Sequence, residues 1–589
     1  MRAGSYPTRG TRRGLREPET IPETAVITVP SAFSGLTIAG TEEEALCVSA
    51  HYERGWTQPV RTAKLLESLV VCAVLVSVCV AALTHCYVRG STLYYGDAEA
   101  HLNIARRILD SRTPGPQQIG TVWLPLPHLL MLPFVQFDVL WRSGLAGAIP
   151  SGICFVIAGS FLFAAARRLH GSAAAAAASL GAFALNPNLL YLQTTPMTEP
   201  VFFAALGALF HAVVRFHEAK SRRFVVIAGI AAFLASLTRY EGWFLIPFAT
   251  VFFLVSAHHA RIRIALLFGA LAVLGPLLWL AHNQFWWGDC LEFLRGAHSP
   301  RAIYQRSLSA GLPPYPGAHD WFAACRQYWS AVNLSVGVPL LLLAAAGVVS
   351  SLKNRGTRPL VLLLLLLPTP LFYVWTVHSG GIPMYIPQRW PYTAYNTRYG
   401  LAALPLLALA VGALVAGMPV RWRAPSAALA TALALGPWMR APWPDVSICW
   451  REARDTSGPR RAWTHEGATF LRQHYHSGEG IFMSFGDLTG ILREAGIPLR
   501  EALIQGDGPD WRDAVARPEL CLREAWALTA GGDQVGDAVG RGLESDPAFQ
   551  CVERIEERGA PTVRIFRRTR QAWAPGLHRP SQWAIGLVP

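Results

Sequence analysis

The sequence predicts a mainly α protein: a polytopic membrane helical bundle of about eleven spans, with amphipathic outer-loop helices and a small C-terminal α/β extramembrane domain. Three observations carry this. Of 589 residues, 52% are apolar, 15% are charged and 20 are Trp, a balance too apolar for a water-soluble chain. The apolar residues arrive in blocks of about 17 to 22, enough helix to cross a ~30 Å hydrocarbon core. The basic residues fall in alternate loops between those blocks.

Residues 1–60 lack apolar periodicity and predict a disordered cytoplasmic N-terminus. The transmembrane region, 61–441, holds blocks at 65–88, 145–166, 172–193, 200–217, 223–240, 242–258, 263–282, 336–351, 359–377, 399–417 and 424–441. The first block lies too far along the chain for a cleavable leader and reads as a retained anchor. Arg54, Arg61 and Lys64 just before it put the N-terminus inside. Alternation then places five more loops inside, carrying Arg167 and Arg168; Lys220, Arg222 and Arg223; Arg261 and Arg263; Lys353, Arg355 and Arg358; and Arg421 and Arg423. Each is basic with hardly an acid, so the net charge of +14 needs no nucleic-acid partner. Counting Trp123–Leu140 as a crossing would reverse every later loop. With Pro125, Pro127 and Pro133 that stretch reads as a membrane-edge or re-entrant piece. The alanine run 173–178 is a small-residue face suited to close helix packing.

This topology gives the outer side a first loop, 89–144, a second, 283–335, the segment 378–398 and a tail, 442–589. Within the tail, about 464–570, amphipathic stretches alternate with short apolar runs such as Ile481–Phe485 and Val563–Phe566, the mark of a small α/β core. None of the ten cysteines forms a CxxC pair. Cys290, Cys325, Cys449, Cys521 and Cys551 lie outside the membrane, where disulfides are permitted, and their pairing stays open, Cys521–Cys551 included.

Costly polar groups gather at the outer membrane edge. The first loop opens Tyr94-Tyr95-Gly96-Asp97-Ala98-Glu99-Ala100-His101-Leu102. Helical spacing sets Asp97, His101 and Glu99 near one mouth, with Leu102, Ala105 and Leu109 on apolar surface. Gly96 suits a close backbone approach or a cap, and Asp97 alone is equally a helix N-cap. Thr194–Pro200 brings Glu199 to the same side. Thr238-Arg239-Tyr240-Glu241-Gly242 leaves Arg239 and Glu241 at the bilayer boundary with no ordinary loop. Asn396-Thr397-Arg398-Tyr399 opens a late span. Arg and Tyr at such places are often interfacial anchors, but an acid and an arginine inside one tight turn point to paired, functional groups.

An acid soon after span one with an amphipathic helix behind it, a Thr-Glu-Pro turn after span three, an Arg-Tyr start to a late span and a C-terminal outer domain together resemble the C-superfamily (GT-C) integral-membrane glycosyltransferases. Within that superfamily the sequence resembles the protein O-mannosyltransferases and the lipid A aminoarabinose transferases. The resemblance covers roughly residues 65–440. It implies a sugar moved from a polyprenyl-phosphate donor to an acceptor hydroxyl of a glycan, lipid or protein, on the outer face of a bacterial-type inner membrane, with inversion. It implies Asp97 as catalytic base, with Glu199 and Glu241 as second candidates. Arg239 and Arg398 would hold the donor phosphate, and Glu99, His101, Tyr240 and Tyr399 would line the substrate site. Asp97-Ala98-Glu99 also resembles the Asp-x-Asp metal motif of oligosaccharyltransferases, which leaves a divalent cation at Asp97 and Glu99 open. Trp123, Trp243, Trp286, Trp287, Trp375 and Trp390 would stack on sugar, line a lipid groove or anchor the interface. Two other classes compete: a lipid-linked-glycan flippase, which favours midplane charges and internal repeats, and a non-catalytic scaffold, in which Asp97 only caps. The sequence shows no repeat and sets its acids at one edge.

Overall fold

The computed structural model describes residues 42–354, 364–545 and 549–569. The chain divides into two units, Met1–Glu67 and Ser68–Pro589. In the first, residues 42–67 belong to a helix, including the part of 1–60 expected to lack order; residues 1–41 lie outside the described residues.

The second unit is mostly helical with one small sheet. Among the described residues, length and hydropathy alone qualify five helices to cross a membrane: Leu65–Val88, Leu145–His170, Glu199–Ala219, Arg261–Trp287 and Thr397–Gly417. The pair Trp321–Val336 and Val338–Lys353, bent by 101°, makes a sixth if counted as one span. Leu69, Val70, Leu266, Leu277 and Leu278 leave more than half their surface uncovered on these helices. Rows of that kind suit lipid and not water, so the chain is built as an integral membrane protein.

Several apolar blocks are interrupted. Block 172–193 becomes Ala173–Ala184 and Pro187–Leu192, because Asn186 caps a new helix whose first residue is Pro187. Block 223–240 stops as a helix at Ser236. Apolarity in sequence records what a segment contacts, not where its backbone ladder breaks. Arg355, Arg358 and residues 359–363 of the ninth block lie outside the described residues. Trp123–Leu140 forms the ten-residue helix Leu126–Val135 and the start of Asp138–Ser143. Ten residues rise about 15 Å, half of what a crossing needs.

Small residues let the helices close up. Ala175, Ala176 and Ala178 are fully buried. A β-carbon on Gly412 would fall 2.1 Å from Ser179 Oγ, and one on Gly347 only 1.8 Å from the Ala410 carbonyl oxygen.

After the last apolar helix, Val420–Leu435, comes a polar helix, Ile448–His474, and then the sheet. Its strands β1 (Ile481–Met483), β2 (Ala502–Ile504), β3 (Trp526–Ala530), β4 (Phe549–Ile555) and β5 (Val563–Arg568) lie in the order β2-β1-β3-β5-β4. The first three are parallel and β5 is antiparallel to both its neighbours. The apolar runs read at 481–485 and 563–566 thus supply β1 and β5. One sheet face packs with Trp511, Val535 and Val539; the other shares a core with Leu102, Ala105, Met131 and Trp141 of the first loop. Burial of that shared face seats the sheet on the helix that carries Asp97. Cys290, Cys325, Cys449, Cys521 and Cys551 are all free thiols, Cys325 on the helix Trp321–Val336 of the bent pair.

Candidate active site

The helix Gly96–Leu109 is nearly enclosed, so each of its faces meets a different partner. Tyr95, extended, is its N-cap and makes no side-chain cap bond. Asp97 therefore lies inside the first turn, where the helix dipole favours an acid, and its carboxylate accepts from Arg398 Nη2 instead of capping. Gly96 has room for a β-carbon, with Asp487 Oδ1 at an ordinary 3.7 Å, so neither a close approach nor a cap demands glycine there.

From Arg398 the network runs inward. Its Nε donates to Glu199 Oε1 at 3.2 Å, and its Nη1 lies 3.5 Å from Glu452. The same Glu199 oxygen accepts from Arg239 Nη1 at 3.1 Å. Arg239 also donates to Thr198 Oγ1, to Glu241 Oε1 and, from Nη2, to the Tyr373 hydroxyl, which itself donates to Glu241. Tyr399 stacks on Tyr373 at 4.6 Å and sits 5.0 Å from the Arg398 guanidinium and 5.6 Å from that of Arg239. Four carboxylates thus share two guanidiniums: Asp97, Glu199, Glu241 and Glu452. Glu452 is 2% exposed, and burial pushes its carboxyl up against the pull of Arg398 and of hydrogen bonds from Thr397 and Asn396. Asp97 keeps 41% of its side chain exposed, against 5% for Glu199 and 4% for Glu241. Within the cluster Glu199 Oε2 and the neighbouring Tyr328 hydroxyl are buried without a hydrogen-bond partner.

The structure brings Asp97, Glu199, Arg239, Glu241, Arg398 and Tyr399 together. It separates the other three. Glu99 turns to Arg460 and to Arg493 Nε (2.9 Å), both from the tail. His101 bonds His128 at 2.9 Å and lies 4.6 Å from Trp123; burial, with the Arg239 and Arg398 charges behind it, pushes its pKa down to about 3 and keeps the ring neutral. Tyr240 donates to the Val122 carbonyl, accepts from Trp279, and packs on Trp243 and Phe293, away from the guanidinium of Arg239. The single mouth expected for Asp97, Glu99 and His101 does not form: Glu99, two positions from Asp97, faces nearly the opposite way, and His101, four positions on and so on the face of Asp97, spends its ring on His128. Leu102 and Ala105 are buried as expected, whereas Leu109 is 48% exposed.

Asp97 and Glu99 do not fit a shared cation. Each carboxylate is already taken by guanidinium groups, and among the described residues no group of three His, Cys, Asp or Glu is placed to hold a metal ion. Trp286, Trp287, Trp375 and Trp390 are 42–50% exposed, as anchors would be. Sequence reasoning missed Glu452, Tyr373, Arg460 and Arg493. Glu452, Arg460 and Arg493 lie in the tail, which only the fold brings to Asp97 and Arg398, and Tyr373 lies within an apolar block, where a tyrosine gives no local signal.

Residues 135–282 match the sequence profile of the dolichyl-phosphate-mannose-protein mannosyltransferase family. No curated protein matches the chain. Among solved structures, ArnT from Cupriavidus metallidurans bound to undecaprenyl phosphate shares 13% identity and a TM-score of 0.51, covering 82% of this chain and 97% of that one. Its apo state gives 12% and 0.48 over the same shares. The Archaeoglobus fulgidus oligosaccharyltransferase gives 13% and 0.44 over 79% and 69%. In sequence over residues 135–282 and in fold over 82% of its length, the chain resembles the GT-C membrane glycosyltransferases.

Proposed function

We propose that this protein transfers a sugar from a polyprenyl-phosphate donor to an acceptor hydroxyl at the outer face of the membrane, with inversion. The reading takes 61–441, with about eleven crossings, as the membrane domain and 442–589 as an outer domain. One observation carries it: four separate segments converge on Arg239 and Arg398, and of the acids held there only Asp97 reaches solvent. A base must touch the hydroxyl it deprotonates, and buried Glu199 and Glu241 are already bonded to Arg239.

Asp97 accepts the acceptor proton as the oxygen attacks the anomeric carbon. The phosphate leaves as a weak base and needs positive charge more than a proton. Arg398 supplies that charge through its Nη1 and Nη2 edge, where, among the described residues, an ion pair with Glu452 and the bond to Asp97 compete. Arg239, with four of its five N–H groups engaged, sets Glu199, Glu241 and Tyr373 in place. The unpartnered Glu199 Oε2 and Tyr328 hydroxyl are places for a polar ligand to bond, since native interiors satisfy nearly all such atoms. The undecaprenyl phosphate in the ArnT structure supports the donor class.

The test is bond cleavage in proteoliposomes loaded with polyprenyl-phosphate sugars and envelope extract. Expected is acceptor-dependent release of free polyprenyl phosphate, lost in Asp97→Asn. Sugar-lipid crossing the bilayer uncleaved would make the protein a flippase instead.

A further inference from the structure

The helix Ile448–His474 touches the site twice, at opposite charges. Glu452 accepts from the backbone N–H of Asn396 and of Thr397, each at 2.9 Å, and from Thr397 Oγ1, and pairs with Arg398. It therefore holds the start of the segment Thr397–Ala403 as well as the guanidinium on it. Eight residues on, Arg460 pairs with Glu99 and donates to the carbonyls of Tyr94 (2.7 Å) and Leu93 (3.3 Å). Those groups flank Asp97 on both sides. Glu452 and Arg460 are both buried, so each would leave a strand of unpaired polar atoms if removed.

Resting on the transferase reading, we infer that this helix is a spacer that sets the separation of Asp97 and Arg398, with Glu452 and Arg460 as positioning residues. Eight residues of helix span about 12 Å. Gly458 and Pro459 lie between the two anchors, and proline removes a ladder bond there, so the spacing depends on both ends being held. Asp97 and Arg398 sit on elements separated by 301 residues, and the bond between them forms at an exposed carboxylate. A donor phosphate competes for that same guanidinium edge. The pair must then part by a set amount and no more, which a fixed spacer provides and a flexible loop does not. It also gives the outer domain a part in the reaction: it completes the site from behind without touching substrate.

The measurement is a double-mutant cycle on Glu452→Gln and Arg460→Gln, reading kcat and donor KM together with hydrogen exchange. Each single change is expected to lower kcat by about 10²-fold, the cost typical of a 1 Å misplacement, with a smaller change in KM. The double variant should be little worse than the poorer single, because one lost anchor already frees the spacing. Losses that multiply would overturn the inference. Exchange reads the same point without activity: Arg460→Gln should quicken exchange at 396–403, and Glu452→Gln at 94–101. Exchange that quickens only beside the altered residue would also overturn it. A wild type without transfer but with this crossed exchange refutes the transferase reading and keeps the spacer. Should Glu452→Gln fail to fold, Glu452→Asp keeps the charge, shortens the reach and is read the same way.

Discussion

Asp97 is distinguished from its neighbours by what surrounds it. Because Tyr95 holds the cap position and Asp97 makes no cap bond, Asp97→Asn and Asp97→Ala should fold alike. Both should lose transfer by roughly 10²–10⁴-fold, the usual cost of removing a general base. Thermal unfolding beside a transfer assay checks this; near-normal transfer by the Asn variant would end the role of Asp97. Glu199→Gln and Glu241→Gln should behave differently. Each leaves the Arg239 guanidinium, 13% exposed, short of a compensating charge, a loss of roughly 3–5 kcal/mol where a buried pair is broken. These variants should unfold at lower temperature, and stability equal to wild type would show that the pairing carries little. At this scale the sequence singled out Asp97, Glu199, Arg239, Glu241, Arg398 and Tyr399, which the fold brings together. It could not assign Glu99, His101 and Tyr240, because each bonds to a group that its local spacing does not reveal: Arg460 and Arg493, His128, and the Val122 carbonyl.

Among the helices, tight approach is the controlling feature. Gly347 brings Val338–Asn354 against Leu404–Gly417, the helix that continues from Arg398, and any β-carbon there meets the Ala410 carbonyl. Gly347→Ala should therefore cost about 1–3 kcal/mol as overpacking does. Gly540, in Gln534–Ser545, has nothing within 4 Å of its would-be β-carbon. Gly540→Ala should be neutral or stabilising by up to about 1 kcal/mol, the helix-propensity gain. Unfolding midpoints for both in one detergent decide the matter, and equal midpoints would mean the close contact relaxes freely. The alanine run at 173–178 announced this kind of packing in sequence. Gly347 did not stand out, since a lone glycine in an apolar block looks the same whether it faces lipid or another backbone.

For the whole molecule, the arrangement of charge makes a claim about sidedness. If the basic loops lie inside and the tail outside, cysteines introduced at Lys220 and Lys353 should label only from the cytoplasmic side. One at Arg512 should label only from the outer side. Outside labelling at 220 and 353 would reverse the topology and carry the proposed site to the other face. The apolar blocks were legible because a ~30 Å hydrocarbon core imposes a length on any helix that crosses it. Their number is less so: five helices, or six with the bent pair, meet the length and hydropathy of a span among the described residues, because caps and prolines divide several blocks.

The sequence by itself determined that this chain lives in a membrane and that a small α/β element follows the last apolar block. Each is a composition or periodicity imposed by solvent, which acts on every residue locally. Only the tertiary structure decided that Asp97 meets Arg398, that Glu99 leaves the site for Arg460 and Arg493, and that Glu452 reaches back from the tail to hold both the guanidinium and the backbone beneath it. Those pairings join residues from about fifty to nearly four hundred positions apart. Their choice rests on burial, where an unpaired charge is too costly to leave, and no local pattern encodes which partner will be near.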